Sequence, residues 1–110
     1  MSSKDLLDPI IPGEILREDF MEPMHISMNK LSRDLDVPPN RISEIVNGKR
    51  GITADTALRL ERYFGVEAQF WLNLQSEYDL RIMKRKIGTD IEQRIVPVKQ
   101  PTDNSRPAEA

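Results

Sequence analysis

Residues 28–46 read MNKLSRDLDVPPNRISEIV, and this stretch decides the fold. When Met28 is counted as the first position, apolar residues occupy the fourth, eighth, tenth, fifteenth and eighteenth places. They are Leu31, Leu35, Val37, Ile42 and Ile45. This spacing is typical of a helix-turn-helix, in which two short helices cross steeply around a shared apolar hinge. A generic helical hairpin is the alternative that the pattern alone leaves open.

Capping residues mark the ends of these two helices. Ser27 is a suitable N-cap for the first helix, which we expect over residues 28–35. The second helix begins near Pro39, where the missing N–H costs no hydrogen bond. It extends to about Val46, and Asn47-Gly48 is a good stop because both residues tolerate the left-handed conformation.

Two positions depart from the usual helix-turn-helix pattern. Ser32 stands where alanine is commonest, and it is still small enough for close packing of the helices. Asp36 stands where glycine is typical. Since aspartate tolerates the left-handed conformation better than most residues, the turn is expected to form at some cost.

Three further helices are predicted outside this stretch. The first helix of the chain opens at Pro12 and ends at Glu22-Pro23. The fourth, capped by Thr53, extends over residues 54–64, and the fifth over about 67–86, with Gly88 as its stop. Residues 91–98 permit at most a short edge strand because of Pro97. We therefore predict an all-α, five-helix domain over residues 12–87, an N-terminal arm over 1–11 and a flexible tail over 88–110.

Composition excludes several classes of protein. The chain has 110 residues, of which 38% are hydrophobic and 31% charged, as in one small globular domain. It has no cysteine and a single histidine, His25, so thiol chemistry and histidine-built metal sites are not expected. No secretory signal or membrane span is visible, and a cytoplasmic location is expected. The sequence predicts neither a cofactor nor a metal, and no pattern indicates an enzyme.

The net charge of −2 conceals an uneven distribution. Residues 28–53 carry five basic and three acidic side chains, and residues 81–99 carry six basic and two acidic ones. The basic run of Arg81, Lys84, Arg85 and Lys86 is interpreted first as solvated surface, with a DNA-facing arm as an alternative. The first basic segment coincides with the helix-turn-helix, which favours an approach to nucleic acid.

The outward side chains of the second hinge helix are the candidates for contacts with DNA bases, because such a helix presents its N-terminal residues to the major groove. Arg41 suits guanine, Asn40 adenine, and Glu44 cytosine. The full candidate set is Pro39, Asn40, Arg41, Ser43, Glu44 and Asn47. Ordinary solvated helix residues are the alternative interpretation.

Phosphate contacts are expected at the edges of the same surface, from side chains and from free N–H groups at helix starts. The candidates are Ser27, Asn29, Lys30, Lys49, Arg50 and Thr53. For Thr53, capping of the following helix is the first interpretation. A dimer contact is predicted on the fifth helix, which has a second apolar edge that needs a cover. Its candidate residues are Phe70, Trp71, Leu74 and Tyr78, and a place in the core of the chain is the alternative for the first three.

Four segments carry a resemblance to a known family. They are PGEIL at 12–16, NRISEI with NGKR at 40–50, ITADTALRL at 52–60, and FWLNLQ with YDL at 70–80. The chain resembles the lambda-repressor-like, XRE-type DNA-binding domains, and more narrowly the HigA-type antitoxins, also called VapI-like proteins. The resemblance covers about residues 12–80, and the segment after Gly88 has no counterpart in it.

The resemblance implies a homodimer that binds a palindromic operator over its own promoter. It also implies a second partner, a small basic ribonuclease toxin of the RelE/HigB kind, which the antitoxin would hold inactive. Two alternatives stay open at this point. One is a stand-alone XRE-type regulator without a toxin, and the other is a protein-interaction module that kept the fold and lost DNA binding.

Overall fold

The computed structural model describes residues 8–99 and consists of helices joined by short loops. Helix α1 begins as an α-helix at Pro12–Ile15 and continues as a π-helical segment at Leu16–Met21. The remaining helices are α2 (Met28–Leu35), α3 (Pro39–Val46), α4 (Ala54–Phe64) and α5 (Ala68–Arg94). No strand occurs within residues 8–99. The predicted all-α, five-helix class is confirmed. None of the helices in this range is both long and apolar enough to cross a membrane.

The predicted ends of α2 and α3 are confirmed. The Ser27 side chain accepts a hydrogen bond from the backbone N–H of Lys30 at 3.1 Å, which caps α2. Asp36 ends α2 in the left-handed conformation at φ 59°. Asn47 and Gly48 end α3, with Gly48 at φ 77°.

The hinge between α2 and α3 is built as the spacing predicts. Leu31 and Ile42 are fully buried, and Leu35 and Ile45 nearly so, while Val37 packs against this core from the turn. At the position where alanine is commonest, the buried Ser32 hydroxyl donates to the carbonyl of Asn29 at 2.9 Å. The extra polar atom is therefore satisfied within its own helix, and the close packing is kept.

Helix α1 lies directly on the backbone of α3. A Cβ atom at Gly13 would stand 1.9 Å from the carbonyl oxygen of Ile45, so only glycine permits this approach. The π-helical turns that follow have no signal in the sequence. Their hydrogen bonds span five residues and thereby bring Leu16 and Met21 onto one face, where both are buried in the core.

Helix α5 closes the core through Trp71, which is fully buried. Its ring lies 4.9 Å from that of Phe20 and 5.0 Å from that of Phe70, measured between centroids. Trp71 therefore belongs to the core of the single chain. Its predicted place in a dimer contact is wrong, because a side chain with no exposed surface has none left to give to a partner.

The predicted stop at Gly88 is also wrong, since α5 continues to Arg94. Only Gly48 and Gly65 adopt positive φ among the glycines described, so Gly88 stays within the right-handed helix. A glycine inside a helix costs only about 1 kcal/mol relative to alanine, which neighbouring turns can outweigh. Pro97 explains the end better, because it disfavours helix in the residue before it. The tail predicted from residue 88 therefore begins no earlier than Ile95, and residues 1–7 and 100–110 lie outside the described range.

Candidate nucleic-acid interface

The exposed side of α3 carries all six residues predicted to contact bases. Pro39, Asn40 and Asn47 are exposed, whereas Arg41, Ser43 and Glu44 are half-buried. The buried side of the same helix, with Ile42 and Ile45, holds its backbone rigidly against the core. The Ser43 hydroxyl donates to the carbonyl of Asn40 at 3.1 Å, which leaves its lone pairs as acceptors.

Glu44 accepts hydrogen bonds from two other residues of the predicted site, Arg50 and Asn40. The Nε and Nη2 atoms of Arg50 lie 2.8 and 2.7 Å from Glu44 Oε1. The amide of Asn40 lies 3.4 Å from the other carboxylate oxygen. The structure thus joins predicted base-contacting residues to a predicted phosphate-contacting one. It also neutralises an acid on a surface that would otherwise repel phosphate.

Arg41 is paired with an acid that the sequence interpretation missed. Its Nη1 donates to Asp55 Oδ2 at 2.6 Å, and Asp55 also accepts from Arg59 Nε at 3.1 Å. The hydrogen bonds from Arg59 and Arg41 hold the pKa of the Asp55 carboxyl below its ordinary value. The i,i+4 spacing of Asp55 and Arg59 on α4 was the available signal, but nothing local to the sequence connects either to Arg41.

The predicted phosphate contacts differ in how far they are already engaged. Ser27, Asn29, Lys49, Arg50 and Thr53 are exposed at the ends of helices or in the loop after α3. Thr53 caps α4, with its side-chain oxygen 3.5 Å from the backbone N of Thr56. Within residues 8–99 Lys49 makes no ion pair, so its charge is available to a ligand.

Lys30 is the exception among these candidates. Its Nζ lies 2.9 Å from Asp34 Oδ2, which also accepts from the hydroxyl of Tyr63 at 2.6 Å. The bond to Asp34 raises the pKa of the Lys30 ammonium. The Lys30 ammonium is therefore held near the end of α2 and beside α4. Of the six predicted phosphate contacts, the structure favours Lys30 least.

The loop that carries Lys49 and Arg50 is fastened to α5 by Gln75, a second residue that the sequence interpretation missed. Its side-chain oxygen accepts from the backbone N–H of Ile52 at 2.8 Å. Its amide nitrogen donates to Asp79 at 2.9 Å. Gln75 ends the FWLNLQ segment of the family resemblance, but only the fold shows which backbone group its side chain meets.

The predicted dimer residues have different degrees of exposure. Phe70 is 37% exposed, Leu74 and Tyr78 are half-buried, and Trp71 is buried as described above. Farther along α5, exposed apolar side chains recur every three or four residues and form a row on one face. We call Leu80, Met83, Ile87 and Ile91 the α5 apolar row. In the basic run beside it, Arg85 contacts Asp8 at 3.4 Å.

Comparison with known proteins places this geometry in a family. A helix-turn-helix family model matches residues 18–71. The chain is 54% identical over 84 residues to virulence-associated protein I of Dichelobacter nodosus, covering 76% of this chain and 78% of that protein.

Two solved structures are similar to this chain in both sequence and fold. The antitoxin HigA of Pseudomonas aeruginosa, solved with the higBA promoter, is 48% identical, with a TM-score of 0.81, over 83% of this chain and 99% of that one. An addiction module antidote protein of the HigA family from Coxiella burnetii is 47% identical, with a TM-score of 0.79, over 84% and 100%. The chain therefore belongs to the helix-turn-helix family of HigA-type antitoxins and VapI-like proteins.

Proposed function

We propose that this chain is a homodimeric, sequence-specific repressor that binds an operator in its own promoter. We also propose that it serves as the antitoxin of a HigBA-like pair. The observation that carries the proposal is the exposed polar side of α3, held rigidly by its buried apolar side. The solved HigA structure with promoter DNA, similar in sequence and fold, supports the same mode of binding.

In this proposal α3 enters the major groove and its first turns read base edges. Asn40 and Arg41 supply the donors, while Ser27, Lys49 and Arg50 lie at the edges, where the phosphates of the backbone pass. The paired acids explain how a protein with net charge −2 can approach DNA. Glu44 is matched by Arg50, and Asp55 is matched by Arg41 and Arg59, so the surface presents little uncompensated negative charge.

The dimer contact is proposed to include the α5 apolar row rather than Trp71. Leu80 is 62% exposed and Met83 48%, and their spacing of three and four residues keeps the row on one helix face. When a second copy of the chain covers an exposed apolar helix face, the free energy falls because apolar surface is removed from water. Phe70, Leu74 and Tyr78 lie nearer the core. With 3.6 residues per turn, Leu74 and Tyr78 fall on the side of α5 opposite the row, so we propose these three as a contact separate from it.

The antitoxin role is proposed from family membership, and it distinguishes this chain from a stand-alone regulator. The outward side chains of α3 are proposed to bind rather than to catalyse, and we propose no enzymatic activity. We also propose a cytoplasmic location, because a repressor of this kind acts where its operator is. A protein-interaction module without DNA binding is the remaining alternative, and the rigid donor surface of α3 argues against it.

A promoter-reporter assay tests the proposal. The DNA upstream of the gene drives a reporter, and the full chain is supplied from a second plasmid. We expect repression by the wild type and its loss in Arg41→Ala, which should cost about 1–3 kcal/mol of operator binding. Unchanged reporter output with the wild type would contradict autorepression. Co-purification with the product of the neighbouring reading frame then separates an antitoxin from a stand-alone regulator.

A further inference from the structure

The guanidinium of Arg41 is bonded to an acid on another helix. It lies in the first turn of α3, yet its ion-pair partner, Asp55, lies in the first turn of α4. The 2.6 Å bond between them joins two helices, and only 25% of the Arg41 side chain is exposed. A charged hydrogen bond of this kind restricts the rotamers of a long side chain, so less entropy is lost when that side chain binds.

Asp55 is fixed in turn by Arg59. The Arg59 Nε atom lies 3.1 and 3.3 Å from the two oxygens of Asp55. Its Nη1 atom donates to the carbonyls of Leu35 and Asp36 at 2.8 and 3.1 Å. These carbonyls end α2, where helical partners are missing. Two arginines and one carboxylate therefore connect the turn of the helix-turn-helix to the reading helix.

The bond to Asp55 leaves one edge of the Arg41 guanidinium open. It uses Nη1, and no acceptor in residues 8–99 is bonded to Nε or Nη2. Nε and Nη2 form the edge that can donate two parallel bonds to N7 and O6 of guanine. Arg50 is the contrast within the same interface, because its Nε and Nη2 are both directed at Glu44. Of these two arginines, Arg41 alone keeps its Nε–Nη2 edge unbonded within the described residues.

We propose that Asp55, held in place by Arg59, is a specificity-determining positioning residue that aims the Nε–Nη2 edge of Arg41 at one guanine. Asp55 itself needs no contact with DNA in this role. The inference rests on the proposed DNA-binding function and adds to it a residue outside the reading helix. It also assigns the base class, a G·C pair, that this part of the operator must contain.

The opposite role for Asp55 makes a different prediction. If Asp55 competed with DNA for Arg41, removing the carboxylate would tighten operator binding and leave base discrimination intact. If Asp55 aims Arg41, removal should instead weaken discrimination. Removal of an acidic side chain raises the affinity for any polyanion. The affinity for unrelated DNA should therefore stay level or rise whether Asp55 competes with DNA or aims Arg41. The informative quantity is therefore the discrimination at a single base pair.

The experiment uses the full chain and fluorescence anisotropy. The probes are the duplex from upstream of its own gene, a scrambled duplex, and a series of upstream duplexes in each of which one G·C pair is replaced. The proteins are the wild type, Asp55→Asn, Arg41→Ala and the double variant. Asp90→Asn is the matched control, since Asp90 forms an i,i+4 pair with Arg94 on α5 that resembles the Asp55–Arg59 pair.

We expect the wild type to lose affinity when one particular G·C pair is replaced, and Arg41→Ala to be indifferent to that replacement. Asp55→Asn should lower discrimination at the same pair by about tenfold, and the double variant should lose no more than Arg41→Ala. Asp90→Asn should behave as the wild type. Full discrimination in folded Asp55→Asn would overturn the inference. A wild type without preference for its upstream duplex would instead overturn the proposed function.

A spectroscopic readout covers the case in which Asp55→Asn is poorly folded. Asp55→Glu keeps the charge but moves the carboxylate by one methylene, and thermal unfolding checks its fold. The Nη–H signals of Arg41 in nitrogen-15 NMR report the order of the guanidinium without DNA. The signal of Nη1, which donates to Asp55, should be resolved and protected from exchange in the wild type and broadened in either variant. An unaltered Arg41 signal in both variants would show that Asp55 does not position it.

Discussion

The side-chain oxygen of Gln75 accepts a hydrogen bond from the backbone N–H of Ile52 at 2.8 Å. This bond joins the long helix α5 to the loop between α3 and α4, which carries Lys49 and Arg50. Asp79 accepts from the amide nitrogen of Gln75 and so fixes which way the amide faces. The proposed dimer helix and the proposed phosphate-binding loop are therefore held together by one side chain.

Replacing Gln75 with leucine should destabilise the fold and weaken DNA binding without changing specificity. The N–H of Ile52 would lose its acceptor in a partly buried place, at a cost of about 1–3 kcal/mol in the free energy of unfolding. The loop would lose its anchor, so affinity should fall alike for operator and scrambled duplexes. Urea unfolding and anisotropy measure the two effects.

Gln69→Leu is the matched control for this prediction. Gln69 lies on the same helix and donates to Asn73 four residues on, but that bond is exposed. The change at Gln69 should alter the free energy of unfolding by no more than about 0.5 kcal/mol. Equal losses at Gln69 and Gln75 would mean that the bond to Ile52 does not hold the loop.

Two glycine-to-alanine changes should shift the free energy of unfolding in opposite directions. Gly13→Ala places a methyl group on the Ile45 carbonyl, where backbone must move, and should cost about 3 kcal/mol or more. Gly88→Ala meets nothing closer than Lys84 Cβ at 3.9 Å and should stabilise α5 by about 0.5–1 kcal/mol. Thermal unfolding of both variants checks the pair. Destabilisation by Gly88→Ala would contradict the continuous helix to Arg94.

Leu80→Lys should convert the dimer to a monomer and leave the fold of each chain intact. Leu80 is 62% exposed in the single chain, so the change removes little intrachain packing. Leu58→Lys is the matched control, because Leu58 is 58% exposed on α4 and lies outside the α5 apolar row. Light scattering after size-exclusion chromatography gives the masses at micromolar concentration. A dimer that survives Leu80→Lys would place the contact elsewhere.

Protonation of Asp34 should account for part of the loss of stability in acid. The hydrogen bond from Tyr63, and next the bond from Lys30, hold the pKa of the Asp34 carboxyl below its ordinary value of 3.8. An acid with a lowered pKa stabilises the fold above its unfolded pKa, and this contribution is lost as the pH falls through the folded value. Tyr63→Phe should flatten the fall in melting temperature between about pH 5 and 2.

Tyr78→Phe provides the comparison for this pH dependence. Within residues 8–99 the Tyr78 hydroxyl is not bonded to any carboxylate. Its removal should leave the slope of melting temperature against pH unchanged. An identical slope for the wild type and Tyr63→Phe would mean that the hydrogen bond from Tyr63 to Asp34 does not contribute to the acid loss.

Much of the fold could be predicted because its signals are local. The ends of α3 follow from Pro39 at the start and from Asn47 and Gly48 at the end, and each acts through its own backbone preference. The five apolar positions of the helix-turn-helix could be predicted for the same reason, since helix periodicity fixes which side chains share a face. Gly88 failed as a signal because glycine permits a helix end without requiring one.

The partners of the site could not be predicted in the same way. Arg41 meets Asp55 fourteen residues on, and Ile52 meets Gln75 twenty-three residues on. Such contacts depend on how α4 and α5 pack, which no local pattern encodes. Trp71 illustrates the same limit, since an aromatic on an amphipathic helix fits a core and an interface equally well until the packing is known.

The most direct test of the central claim is a titration of the wild type by fluorescence anisotropy at two salt concentrations. The probes are the duplex from upstream of its own gene and a scrambled duplex. We predict tighter binding to the upstream duplex, a steep loss of affinity with salt for both, and a salt slope reduced by about one in Lys49→Ala. Equally weak binding to the two duplexes, or binding indifferent to salt, would contradict the claim that α3 reads this operator.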